Sequence, residues 1–180
     1  MHAVIVTGAG KAFCAGADLT ALGKATEDGL RVIYDGFLAV AECSLPTIAA
    51  VTGYALGSGL ALALAADWRV AGDNVKVGVT EVLAGLLPAA GTDRLVAAIS
   101  SARAKDLVFS GRFVGAEESL ALGLVDELVP PDGVYDAALS WARRYLETPA
   151  HVLAGAKAMI DGAGEGVEHY VEVFGAGTGS

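Results

Sequence analysis

An α/β fold is predicted for this chain on three observations. Short apolar runs bounded by glycine or proline, which read as strands, alternate along its length with segments whose apolar residues recur at helical spacing. The run Ile48 to Val51 is apolar at every position, the pattern of a parallel strand covered on both faces. The segment Leu60 to Ala66 is apolar all round, the pattern of a helix with no solvent face. The last two flank a glycine-punctuated turn, Gly53 to Gly59, so Thr47 to Val70 predicts a buried βα unit around which the other elements pack.

Composition narrows the possibilities. The 180 residues are enough for one domain, and a 54% apolar content excludes a disordered chain. Apolar runs are interrupted well before the ~18 residues that a membrane span needs, so no membrane partner is expected. The start, Met1-His2-Ala3, lacks the basic and apolar parts of a signal peptide, which leaves the cytoplasm as the expected compartment. A net charge of −9 with only twelve Lys and Arg speaks against nucleic acid as a partner. Cys14 and Cys43 are not at metal-ligand spacing and read as reduced thiols, Cys43 in the core.

In order along the chain, Ala3 to Val6 predicts a strand, followed by Thr7-Gly8-Ala9-Gly10 and a turn rich in small residues, Lys11 to Leu19, that ends at an acid, Asp18. Asp18 suits a helix cap or an acceptor for backbone N–H groups. Because a buried strand at residue three needs neighbours, a preceding portion is expected. Leu30, Ile33, Phe37, Leu38 and Ala41 predict a helix, broken at Ser44-Leu45-Pro46. After the central unit come strands at Trp68 to Ala71 and Val75 to Val79, with Thr80-Glu81 at the end of the second. Pro88 to Gly91 is a turn, and one helix is predicted from Thr92 to about Phe109. A helix over Ala116 to Leu122, a strand over Leu124 to Val129 and a helix capped by Asp132 follow, the last with Val134, Ala137, Ala138, Trp141 and Tyr145 on its inner face. His151 to Ile160 and Val167 to Phe174 read as further helices.

Two features carry chemistry. The first turn of the buried helix presents unpaired backbone N–H groups at the positive end of its dipole, and Gly57 and Gly59 let another group approach them, so a developing negative charge is stabilised there. Glu81 is a carboxylate among apolar neighbours, which suits proton transfer, although an ordinary surface acid would look the same. His2, His151 and His169 stand apart, with no second ligand at metal spacing, and Glu117-Glu118 is explained by a helix dipole.

Three stretches together, VIVTGAGKAFCAGADL, LPTIAAVTGYALGSGLALALAADWRVAGDN and VGVTEVLAGLLP, with SGRFVGAEESLALGLVDELVP further on, resemble the crotonase superfamily of enoyl-CoA hydratases and isomerases. The resemblance implies a spiral of ββα units in a single domain over residues 1–180, without counterparts of the family's N-terminal strands and C-terminal helix. It implies an acyl-CoA thioester as substrate, with coenzyme A present only as part of it, no metal or redox cofactor, and a homotrimer or dimer of trimers. The family's two enolate-stabilising N–H groups map onto Ala17 and Ser58, and Ala15, Gly16, Asp18, Leu19, Gly57 and Thr80 are expected to line the pocket. Ser58 stands where glycine is usual, which matters only if that position needs a positive φ.

Of the two glutamates of family hydratases, one is kept as Glu81 and the other aligns with Ala61. Concerted water addition uses one group to activate water and another to deliver a proton. One glutamate still suffices to remove and return a proton, so the chain reads as an isomerase, or a hydratase of altered mechanism, acting on enoyl-CoA in fatty-acid metabolism. Ala61→Glu would then raise hydration. A non-catalytic acyl-CoA-binding member is the alternative, favoured by Ala61 and opposed by Glu81. A nucleotide-dependent oxidoreductase, suggested by Val4 to Gly10, lacks the G-x-G-x-x-G spacing.

Overall fold

A computed structural model describes residues 1–18, 26–88 and 91–162. Its elements in chain order are β1 (Val4–Thr7), α1 (Glu27–Ala41), β2 (Thr47–Val51), β3 (Tyr54–Leu56), α2 (Ser58–Ala65), β4 (Trp68–Gly72) and β5 (Lys76–Gly78). A 3-10 turn (Glu81–Ala84), α3 (Thr92–Ile99), α4 (Ser101–Ser110), β6 (Val114–Gly115), α5 (Ala116–Leu122) and β7 (Glu127–Val129) come next. A second 3-10 turn (Pro131–Gly133), α6 (Val134–Arg144) and α7 (Ala150–Ile160) complete the described chain. Leu19, the predicted helix Val167 to Phe174, His169 and two residues of the Pro88 to Gly91 turn lie outside the described residues.

One sheet runs β1-β2-β4-β7, parallel throughout; the other runs β3-β5-β6, with β3 and β5 parallel and β5 and β6 antiparallel. Strand β2 is buried at every residue, as its unbroken apolar run predicts. Ile48 and Ala50 face α6, where Val134 and Ala138 pack with Trp141 and Tyr145 beside them. Ala49 and Val51 face the main core, which holds Leu60, Ala63 and Leu64 of α2. Helix α2 is interior as expected, with six of its eight residues buried.

Several expectations change. Gly53 to Gly59 is not a plain turn: Tyr54–Leu56 form a strand that pairs with β5, so the central unit is ββα. The predicted helix from Thr92 to Phe109 breaks at Ser100, which has φ 75° and ψ 158°. The break gives α3 and α4 separate axes, so that both Leu95-Ile99 and Ala104-Leu107 reach the core. Asp132 does not cap α6; it lies in the 3-10 turn, and Gly133 holds the cap position without a side-chain bond. The last strand is only Glu127–Val129, because Leu124 and Val125 are tied to Ser119 at the end of α5. Cys43 is half-buried at the end of α1 and not a core residue. Glu118 is held by more than a helix dipole: Arg112 bonds both of its oxygens at 2.8 and 3.1 Å and keeps its carboxyl below the usual range. No helix among the described residues is long and apolar enough to cross a membrane.

Carboxylates fasten the sheet's polar ends. Asp67 Oδ2 accepts from Thr47 N–H (2.7 Å), Thr47 Oγ1 (3.0 Å) and Lys157 Nζ (2.9 Å), joining β2, the end of α2 and α7. Asp126 bonds the Arg69 backbone N–H at 2.8 Å and its guanidinium at 2.9 Å, joining β4 to the segment before β7. Removing Asp67 strands the polar groups of Thr47, which is 1% exposed, and the Lys157 ammonium, which is 12% exposed. Asp67→Ala is therefore expected to cost about 2–4 kcal/mol in urea unfolding. Asp73→Ala, at an exposed turn position, should stay within about 0.5 kcal/mol.

Candidate active site

Two segments converge at the start of α2. Cys14 forms a parallel bridge to Ala55: its N–H donates to the Tyr54 carbonyl (3.0 Å), and its carbonyl accepts from Leu56 N–H (3.0 Å). Continued, that register sets Gly16 beside Gly57 and Ala17 beside Ser58, and the next ladder bonds would join Gly16 N–H to the Leu56 carbonyl and then Ser58 N–H to the Gly16 carbonyl. Among the described residues neither bond is made. Gly16, with φ +102°, is where the ladder ends, against the Leu56 carbonyl. Among the described residues, neither Ala17 N–H nor Ser58 N–H donates to a backbone carbonyl. Ser58 N–H lies in the first turn of α2, where a developing negative charge would be stabilised.

The positive φ falls on Gly57 (φ 52°, ψ −120°), which precedes the helix, and not on Ser58, its first residue. A serine therefore stands at position 58 without backbone strain. Gly57 N–H donates to the Gly78 carbonyl at 2.8 Å, which ties the end of β3 to the end of β5. Three residues beyond Gly78, Glu81 opens the 3-10 turn and lays its carboxylate over the bare face of Gly57: a Cβ there would be 2.5 Å from Oε1. Gly59 is bare for a similar reason, since a Cβ there would strike the Cys14 carbonyl. The openness read from these glycines is thus taken up by the protein itself.

Glu81 Oε2 is buried and has no hydrogen-bond partner among the described residues. It borders a pocket of about 10 Å³, room for about one water, between Gly57, Leu60, Ala61, Leu64, Val79, Pro88, Gly91, Thr92 and Leu95. Of the predicted site residues, Gly57 and Glu81 meet here. Ala15, Gly16, Ala17 and Asp18 follow the bridging Cys14 as irregular chain, and Thr80 is the half-buried residue that leads into the 3-10 turn. Gly78, Gly91 and the Cys14 ladder were not anticipated. Only the i, i+4 spacing of Leu60 and Leu64 could have signalled part of this lining. A larger cavity of about 460 Å³, between Cys43, Arg94 and Lys157, shares no residue with this pocket and meets none of the predicted site.

The family model described as enoyl-CoA hydratase/isomerase matches residues 1–171. The chain belongs to this family. It is 54% identical over 193 residues to a Mycobacterium avium (strain 104) protein named "Probable enoyl-CoA hydratase echA17", covering 98% of this chain and 74% of that one. The structure of Pseudomonas aeruginosa DspI superposes with a TM-score of 0.84 at 33% identity, over 91% of this chain and 64% of that chain. A Thermobifida fusca YX structure in complex with CoA gives a TM-score of 0.83 at 28% identity, over 97% and 74%. The chain thus spans about three quarters of the curated relative's length and less than two thirds of DspI's.

The crotonase-like α/β fold expected from the sequence is the fold of the chain, and β2-β3-α2 is a ββα unit of it. Membership sharpens the meaning of Ala61. It is 5% exposed and lies one turn into α2, its N–H bonded to the Gly57 carbonyl, on the wall of the Glu81 pocket. The backbone of Gly91 sits on it: a Cβ at Gly91 would be 2.8 Å from the Ala61 Cβ. A glutamate here would place a longer side chain on the wall of a pocket of about 10 Å³, so Ala61→Glu is expected to cost stability as well as to supply an acid. The variant should lose about 1–3 kcal/mol of stability by overpacking, read from its denaturation midpoint.

Proposed function

We propose that this chain acts on enoyl-CoA thioesters, moving a proton with Glu81 while Ala17 and Ser58 N–H hold the thioester oxygen. The observation that carries the reading is the juxtaposition at Gly57. On one side the ladder between Cys14 and Ala55 stops and leaves two N–H groups; on the other lies a carboxylate that makes no hydrogen bond to any described residue.

On a 3-enoyl-CoA, Glu81 takes a proton from the α-carbon and the C–H electron pair becomes the enolate double bond. The negative charge gathers on the thioester oxygen, where two N–H donors and the helix dipole stabilise it; one such donor is worth ~3–4 kcal/mol. Glu81 then returns the proton to the γ-carbon, which yields the 2-enoyl-CoA. One acid suffices. Hydration would also need a group to supply the second proton, and Ala61 supports the isomerisation reading over it.

Ala61 also supports a second reading, a binding protein that has lost its chemistry. Glu81→Gln separates the two. In D₂O with 3-enoyl-CoA, the wild type is expected to migrate the double bond and take up deuterium at the α and γ carbons. Glu81→Gln should slow this by about 10²–10⁴-fold with acyl-CoA affinity kept. No exchange in a wild-type protein that binds the thioester would leave the binding reading in place.

A homotrimer or dimer of trimers is the proposed assembly. Leu83 (69%), Leu87 (86%), Phe109 (77%) and Phe113 (54%) are exposed on or near the 3-10 turn that carries Glu81. Leu83 abuts Gly111, and Phe113 abuts Gly78. Apolar exposure of this kind marks a surface that a partner covers. Leu87→Asp combined with Phe109→Asp should shift the sedimentation coefficient from that of an oligomer to that of a monomer.

A further inference from the structure

We propose that Gly57 is a positioning residue for Glu81: its bare face is the seat on which the carboxylate rests, and it fixes the distance between base and oxyanion turn. This rests on the proton-transfer reading above. Three contacts define the seat, with the position of a Gly57 Cβ 2.5 Å from Glu81 Oε1, 2.9 Å from Cδ and 3.1 Å from Oε2. Non-bonded carbon contacts are comfortable at ~3.5 Å, so a methyl group at position 57 would displace the carboxylate by roughly 1 Å.

The flexible partner gives way first. Gly57 is anchored through its N–H to the Gly78 carbonyl and through its own carbonyl to Ala61 N–H. Glu81 has no such anchor: its buried Oε2 has no hydrogen-bond partner among the described residues, and the walls beyond it are Leu60, Leu64, Val79 and Leu95. Packing, not hydrogen bonding, therefore locates this carboxylate, and the glycine is the part of the wall next to the enolate site. The same residue begins the helix whose first N–H belongs to Ser58. One residue thus sets both groups, which the pocket's other linings do not.

The test compares the wild type, Gly57→Ala, Glu81→Asp and the double variant by deuterium exchange into 3-enoyl-CoA. A misplacement of ~1 Å can cost ~10²-fold in rate, so Gly57→Ala should lose about 10²-fold in kcat with KM within about threefold. Glu81→Asp draws the carboxylate back by one methylene and vacates the seat. The double variant should therefore be no slower than Glu81→Asp alone, a coupling that a merely structural loss would not produce. Wild-type kcat in Gly57→Ala, or losses that simply multiply in the double variant, would overturn the proposal while Glu81→Gln inactivity leaves the proton-transfer reading standing. No exchange in the wild type would overturn both.

Because φ 52° also penalises alanine, Gly57→Ala could fail to fold. The melting curve of Gly57→Ala combined with Glu81→Ala decides that case. Recovered folding when the carboxylate is removed supports the seat, and equal failure with and without it counts against it.

Discussion

The Gly57 N–H to Gly78 carbonyl bond, 2.8 Å long, is the constraint on which the site depends. It joins the strand that ends before Gly57 to the strand that ends three residues before Glu81. On the proposed reading, this main-chain link brings the donors and the base to one place. Side-chain identity matters little to such a link. What it requires is two residues whose backbones can come close, and Gly57 meets that requirement at φ 52° with a carboxylate against its Cα. The neighbouring ladder is interrupted: Gly16 turns at φ +102°, and among the described residues Ser58 N–H donates to no backbone carbonyl, which on the proposed reading leaves it for a substrate.

Such a link holds its position only if the elements behind it cannot slide. Helix α2 has no polar face and is covered on all sides, while β2 next to it is filled on one face by α6 and on the other by α2 itself. Burying an eight-residue helix leaves its polar ends to be satisfied locally. Its far end leads to Asp67, which is clamped by both polar groups of Thr47 and by Lys157. At its near end Ser58 N–H donates to no backbone carbonyl among the described residues, which is the asymmetry a helix N-terminus needs if an unpaired N–H group is to meet an outside charge. Rigid packing behind and an open backbone in front are the division of labour that preorganised electrostatics requires.

Elements that bury one continuous pattern were legible in the sequence. The all-apolar runs of β2 and α2 and the inner face Val134-Ala138-Trp141 of α6 followed from periodicity alone, because burial is a property that each residue reports separately. Elements defined by pairing were not. Tyr54–Leu56 looks like part of a turn because only the partner strand Lys76–Gly78 makes it a strand. Ser100 looks like any helical residue, since nothing local to it demands a break; the demand comes from Leu95 and Leu107 having to reach one core. In the site, Glu81 stood out through its apolar neighbours, and Ala17 and Ser58 through resemblance. The reason that Gly57 and Gly59 are glycines was misread, because a missing side chain does not say which atom occupies the space. Here those atoms are a carboxylate oxygen and a backbone carbonyl of the same chain.

Position 61 is where local chemistry and packing agree most closely. On the proposed reading the alanine there stands where an acid is missing, and it also lies close to Gly91, beside a pocket that admits about one water. Water addition needs the water, a base and a proton donor in that space together. Double-bond migration needs only the base, since the proton removed is the proton returned. On the proposed reading, so small a pocket disfavours the first reaction along with the missing carboxylate. Restoring the acid alone would add a charge without adding the room in which it could act. On the proposed reading, Gly91 and Ala61 are therefore one feature: the turn that closes the pocket and the small side chain that lets it close act together to leave Glu81 as the single proton carrier.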